Sequence, residues 1–187
     1  PILMNNLRNV LFIFTFLTIT TSCYKKKILN KNQKYTIEQF MSITQIFGSD
    51  FSVDEKSVLI TSKASGVLNA YSINIETGEQ TQLTYSSGNA IIARSYFPSD
   101  NRIIYTSDQG GNELAHLYIK NMEGNVIDLT PDSAKASYYG WNHSKTAIYW
   151  ASNKRDPRYF DMYRTAVIDT SVKEGEFQTE KLYTNYN

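Results

Sequence analysis

The sequence predicts an all-β fold: a partial β-propeller of about three four-stranded antiparallel blades. Three observations lead there. Short motifs recur with a period near 45 residues, which suits one blade of four strands. Runs of β-branched and aromatic residues alternate with turns rich in Gly, Asn, Asp and Pro. After residue 47 no segment carries the apolar stripe of a long helix.

The chain opens on a different kind of segment. Arg8 precedes Val10 to Thr21, an uncharged run dominated by Leu, Phe, Ile and Thr. The run is short for a membrane-spanning helix, which needs about 20 residues. It reads as an export signal over residues 1–22. Its end, Thr20-Thr21-Ser22-Cys23, resembles the lipobox of bacterial lipoproteins. The resemblance implies lipidation of Cys23 and cleavage just before it. The protein is then expected in the bacterial cell envelope, lipid-anchored to a membrane and facing the periplasm. Each buried methylene of an acyl chain contributes about 0.8 kcal/mol to such anchoring. Cys23 is the only cysteine, so the fold holds no internal disulfide and no cysteine-based metal cluster.

Residues 23–42 read as the lipidated cysteine and a tether. Tyr24 to Gln33 is polar and lysine-rich. Thr36 to Phe40 spells either one short helical turn or the first strand of the domain, and pattern alone does not separate them. Residues 1–34 carry six basic and no acidic side chains. The remainder carries thirteen basic and eighteen acidic residues, a net of −5. Such a body lacks the basic face that nucleic acid requires.

The propeller region spans residues 43–187, in units of about 43–89, 90–135 and 136–187. Phe51, Phe97 and Trp141 are spaced by 46 and 44 residues, and Ser62, Ser107 and Ser152 by 45 and 45. Tyr71, Tyr118 and Tyr163 fall in matching apolar runs. Gly78 and Gly124 mark turns, with Gly175 in a longer third connection. Leu83-Thr84 and Leu129-Thr130 close the first two units, and Leu182 with Thr184 closes the third more loosely. In the second unit strands are expected near 90–96, 102–107, 114–120 and 125–129. An antiparallel sandwich is the alternative, and the aligned positions argue against it. An open arc exposes the apolar faces of its end blades, so a longer product or partner blades are expected.

Phe51-Ser52-Val53-Asp54, Phe97-Pro98-Ser99-Asp100, Asp108 through Glu113 and Leu129-Thr130-Pro131 resemble PD40-type propeller repeats. The resemblance is closest to the amino-terminal propeller of the prolyl oligopeptidase family of serine peptidases, and periplasmic TolB-type propellers share the repeat. The peptidase family implies a substrate-filtering propeller followed by a carboxy-terminal α/β-hydrolase domain. No G-x-S-x-G nucleophile elbow occurs in the sequence, so no catalytic residue is carried over.

The remaining chemistry is sparse. His116 and His143, the only histidines, lack the carboxylate spacing of a metal site, and no cofactor is called for. Ser62, Ser107 and Ser152 recur once per unit, which suits hydrogen bonding at strand ends better than nucleophilic catalysis. Asp108, Glu113, Arg155, Asp156 and Arg158 lie in or near equivalent turns of the second and third units. These charges are candidates for contacting a substrate or a partner domain. The leading expectation is the non-catalytic propeller portion of a membrane-tethered serine peptidase, gating or positioning peptides for the missing hydrolase domain. The alternative is a TolB-like non-enzymatic protein-binding scaffold of the cell envelope.

Overall fold

The computed structural model describes residues 34–167 and 177–186. The expected signal segment, Cys23, the tether to Gln33 and Gly175 lie outside the described residues. The described residues fall in two units, divided between Ser42 and Ile43. In the first, Ile37–Met41 is a single helical turn, α1. Thr36 caps it by a reciprocal pair. Its Oγ1 accepts from Gln39 N at 3.2 Å, and Gln39 Oε1 accepts from Thr36 N at 3.1 Å. That capping box decides between the two readings of this segment in favour of helix.

The second unit is all-β. Blade 1 holds β1 (Ile46–Phe51), β2 (Ser57–Ser62), β3 (Asn69–Asn74) and β4 (Gln80–Gln82). Blade 2 holds β5 (Ile91–Tyr96), β6 (Ile103–Ser107), β7 (His116–Lys120) and β8 (Val126–Asp128). Blade 3 holds β9 (Ala136–Trp141), β10 (Ala147–Asp156), β11 (Tyr159–Ala166) and β12 (Thr179–Tyr183). Each blade is an antiparallel meander in chain order. The described residues therefore form a partial, unclosed propeller, as the repeat predicts, and no sheet runs through all three units.

The register corrects one alignment drawn from the sequence. Phe51 pairs with Val58, Tyr96 with Ile103 and Trp141 with Ile148. The structural equivalents are thus Phe51, Tyr96 and Trp141, spaced by a uniform 45 residues. Phe97 is the next residue, matching Ser52 and Asn142. All three donate their backbone N–H across the turn, to Ser57 O, Arg102 O and Ala147 O. Two adjacent aromatics in blade 2 made the slip invisible to pattern, because a one-residue shift sends a strand's side chains to the opposite face.

That alternation builds two apolar layers. Blade 2 turns Ile91, Ala93, Tyr96, Ile103 and Tyr105 toward blade 1, where they meet Leu59 and Ala70. It turns Phe97, Ile104, Leu117 and Ile119 toward blade 3, where they meet Ala136, Ile148, Trp150 and Tyr163. Blade 2 is therefore apolar on both faces, as a strand sandwiched between sheets must be. Trp150 stacks on Tyr163 at 4.6 Å and Phe97 meets the edge of Trp141 at 5.1 Å. The looser closure expected of the third unit is visible in β12, whose Leu182 is 50% exposed while Leu129 is 9% exposed.

Candidate protein-binding surface

The first strands of the blades are tied directly to one another. Ser95 Oγ on β5 donates to Asp50 Oδ2 on β1 at 2.6 Å, and accepts from Trp141 Nε1 on β9 at 2.8 Å. The Tyr138 hydroxyl also bonds Ser95, and burial pushes its pKa up to about 12. One buried hydroxyl thus joins side chains from three blades. Nearby, Ser49 Oγ donates to Ala93 O at 2.9 Å and Thr61 Oγ1 accepts from Ala93 N at 2.8 Å. Beside these bonds the three first strands enclose an open groove of about 530 Å³. Phe47 and Ser49 of β1, Ile92 and Arg94 of β5 and Tyr138 of β9 are among its lining residues. Arg94 is exposed and is held by a single described bond, from Nε to Thr106 Oγ1 at 3.0 Å. The groove offers apolar and aromatic walls with one cation, a combination that suits a peptide segment bearing a carboxylate.

The charged residues singled out from the sequence sit elsewhere, on the β6–β7 and β10–β11 connections. Asp108 Oδ2 accepts from Glu113 N at 3.1 Å and braces a loop in which Glu113 takes φ +61°. Arg155-Asp156-Pro157-Arg158 is not an open connector. β10 runs to Asp156 and β11 begins at Tyr159, leaving a two-residue turn. Asp156 holds that turn by accepting from Arg158 N and from both Nε and Nη2 of the same side chain, at 2.8 to 3.0 Å. These bonds pull the Asp156 carboxyl down to about 2. Pro157 presets the turn and Asp156 closes it. No described bond joins Asp108 or Glu113 to Arg155, Asp156 or Arg158. Arg158 nevertheless keeps 73% of its side chain exposed.

Arg155 serves a partner that the sequence reading missed. Its Nε and Nη2 grip Asp161 at 2.7 and 2.9 Å, and Nη2 also donates to Asn185 O at 2.5 Å. Asn185 N donates to Asp161 Oδ1 at 2.9 Å. The fully buried Asp161 carboxylate thereby clasps the segment after β12 to the β10–β11 hairpin. In every blade the same position bonds the fourth strand or the segment just after it. Asn69, His116 and Asp161 pair with Ser62, Ser107 and Ser152 respectively. Asn69 Oδ1 accepts from Thr84 Oγ1 and Ser86 N. His116 Nδ1 lies 2.7 Å from Asp128 Oδ2. A signal existed: each clasp residue precedes the recurrent tyrosine by two. Its changing identity hid it.

The Asp161 clasp makes a pH prediction. Hydrogen bonds from Arg155 hold its carboxyl down to about 2, from an ordinary 3.8. A depressed carboxyl adds stability above its unfolded value and loses it as pH falls toward its folded value. Denaturation midpoints should therefore be level near neutrality and drop between about pH 4 and pH 2. Asp161→Asn should flatten that drop. An unchanged acid limb in the variant would place the titration elsewhere.

Comparison with known proteins narrows the reading. No family model matches the chain, and no curated protein matches it. Solved structures do. TolB from Acinetobacter baumannii matches with a TM-score of 0.54 at 20% identity, over 70% of this chain and 32% of that one. A TolB-type protein from Agrobacterium tumefaciens matches with a TM-score of 0.53 at 20% identity, over 74% of this chain and 50% of that one. This chain thus spans half the length of these proteins or less. At such identity the matches establish the propeller fold. They also correct the peptidase reading. The arc is TolB-like, and neither the prolyl oligopeptidase assignment nor the expected peptide substrate and missing α/β-hydrolase partner is supported. The PD40 motif led there for a physical reason: its turn carboxylates and strand alternation specify how a blade packs, and propellers of both kinds need that. Among the described residues no three His, Cys, Asp or Glu side chains are grouped to hold a metal.

Proposed function

We infer that this chain is a TolB-like, non-enzymatic protein-binding scaffold of the bacterial cell envelope. The observation that carries the reading is the groove lined by residues of all three first strands, Arg94 among them. A rigid wall of this kind recognises an extended segment of a partner protein, with the guanidinium receiving an acidic side chain or a terminal carboxylate. Asp108, Glu113, Arg155, Asp156 and Arg158 are secondary contacts on the loop face, with Arg158 the most available. Their mixed signs fit orientation of a partner more than bulk attraction. The export segment and its lipobox-like end support attachment through lipidated Cys23. That lipid keeps the scaffold at a membrane, on the periplasmic side.

One experiment in cells tests both parts. A photoreactive amino acid in place of Ile92, which lines the groove with Arg94, should give a discrete adduct with an envelope protein in the membrane fraction. Arg94→Glu in the same chain should reduce the adduct at least tenfold. Cys23→Ala should abolish lipid labelling and release the chain from membranes. A diffuse smear unaffected by Arg94→Glu would end the binding reading, and labelling that survives Cys23→Ala would end the anchoring one.

A further inference from the structure

The junction between blades 1 and 2 and the junction between blades 2 and 3 share one register and are filled differently. Ser52 and Phe97 are equivalent, each donating its backbone N–H across the turn, to Ser57 O and Arg102 O. The cross-strand pair Ser72–Thr81 of blade 1 is Ile119–Ile127 in blade 2. Ser57 and Ser72 lie two residues from Leu59 and Ala70 and so face blade 2 with them. Phe97 and Ile119 face blade 3 in the same way. Between blades 2 and 3 these positions make a packed layer. Phe97 and Ile119 are 2% and 4% exposed, and the Arg102 guanidinium lies over the Phe97 ring at 3.9 Å. Between blades 1 and 2 the same four positions hold Ser52, Ser57, Ser72 and Thr81. Their short side chains leave an open pocket of about 250 Å³, which Tyr96 and Asn101 of blade 2 also line. Both flanking blades are present, so the pocket belongs to a complete junction.

Protein interiors are close-packed, with few voids larger than a water molecule. A repeat that breaks its own packing at one junction points to a site there. The lining selects a ligand by its chemistry. The side chains of Ser57, Thr81 and Asn101 make no bond among the described residues, and each can both donate and accept. Ser72 Oγ accepts from Tyr96 Oη at 2.9 Å and keeps its own proton to give. Asp54 lines the pocket too. Its Oδ1 is taken by Ser52 Oγ at 2.7 Å and Lys56 N at 3.1 Å, which leaves Oδ2 as an acceptor. No cation lines the pocket, so an anion is poorly served, and Leu83 adds a small apolar surface. A ligand that gives and takes hydrogen bonds around its rim and carries an apolar C–H face is a sugar ring. The volume falls below the range of about 300–1,000 Å³ for drug-sized ligands, which suits a single ring. A second chamber of about 190 Å³ shares Leu83 and Asn101 and adds Ile103, Lys120 and Met122. It has room for a second ring, to whose hydroxyls Lys120 can donate.

We propose that the junction between blades 1 and 2 is a saccharide-binding site, taking one ring against Ser57, Ser72 and Thr81 and the next beside Lys120. It shares no lining residue with the groove of the first strands and goes beyond the scaffold reading.

Saturation-transfer NMR on the full chain, in a detergent without a sugar headgroup, tests this. The probes are glucose, N-acetylglucosamine and the β-1,4-linked disaccharide of each. Transfer to the ring protons of at least one probe is expected. Ser72→Ile and, separately, Thr81→Ile write the residues of blade 2 into blade 1. Each should weaken that binding about tenfold, the equivalent of one lost hydrogen bond. Circular dichroism checks the fold, and Thr81 is exposed on a three-residue edge strand, so its variant folds even where Ser72→Ile does not. Absence of transfer to every probe, or transfer that a folded variant leaves undiminished, would overturn the proposal. So would variants that gain stability to urea in a chain that takes up no sugar, the behaviour of a mere packing gap. None of these outcomes bears on the groove, whose adduct is read separately.

Discussion

Trp150→Ala should cost about 3–5 kcal/mol, the range for removing a large aromatic from a core. Trp150 is 3% exposed and sits at the centre of the layer between blades 2 and 3. It stacks on Tyr163, and its Nε1 donates to Thr165 Oγ1 at 2.8 Å. Lys154 lies over the Tyr163 ring at 4.5 Å and adds to the stack from the solvent side. Native domains are stable by only about 5–15 kcal/mol in total, so this substitution should remove a large share of the chain's stability. Trp150→Phe keeps most of the ring and removes the N–H bond, and should cost about 1 kcal/mol beyond its lost area. Urea denaturation followed by circular dichroism reads both. A cost below about 1 kcal/mol for Trp150→Ala would falsify the claim that this layer holds the arc together.

The position of Trp150 was legible in advance, and so was most of the blade. Ile60, Tyr105 and Trp150 recur at 45 residues on second strands bounded by Ser62, Ser107 and Ser152. The expected strands of the second unit match β5 to β8 to within a residue or two at each end. Repetition explains this success. A blade cannot bury its apolar faces alone, so the same alternation must be rewritten at every step, and three copies average out local noise. The serines bond within the turns that follow them: Ser107 Oγ donates to Asp108 O at 3.2 Å, and Ser62 and Ser152 accept from Ala64 N and Lys154 N.

What stayed hidden follows from the same cause. Period reports packing, while binding depends on positions where the repeats differ. Asn69, His116 and Asp161 do one job with an amide, an imidazole and a carboxylate, so no motif marks them. Arg155 read as a loop charge available to a substrate or partner domain, because its partner lies on the far strand of a hairpin whose tightness was not anticipated. The groove was not foreseen at all. Phe47, Ile92 and Tyr138 are unremarkable strand residues until three first strands are brought side by side. The peptidase assignment failed at this level too, since it carried a function across on residues that encode only the blade.

Ser95 gives the sharpest test of how the blades are joined. Ser95→Ala removes one oxygen but affects three blades: Asp50 loses a donor, and Trp141 Nε1 loses its acceptor. Leaving a buried polar group unsatisfied costs about 1–3 kcal/mol. Asp50 is half-buried and can regain water, so the indole and the Tyr138 hydroxyl carry most of the loss. A total of about 2–3 kcal/mol is expected on that basis. Ser99→Ala, on the exposed turn of the same blade, should stay within about 0.5 kcal/mol. The decisive measurement is a double-mutant cycle with Trp141→Phe, which removes the N–H but keeps a ring against Phe97. Once that N–H is gone, losing the Ser95 hydroxyl should cost about 1 kcal/mol less than in the native chain. Strict additivity would mean that the indole is held by packing on Phe97 alone, and that the hydroxyl reaches blade 3 through Tyr138 and not through Trp141.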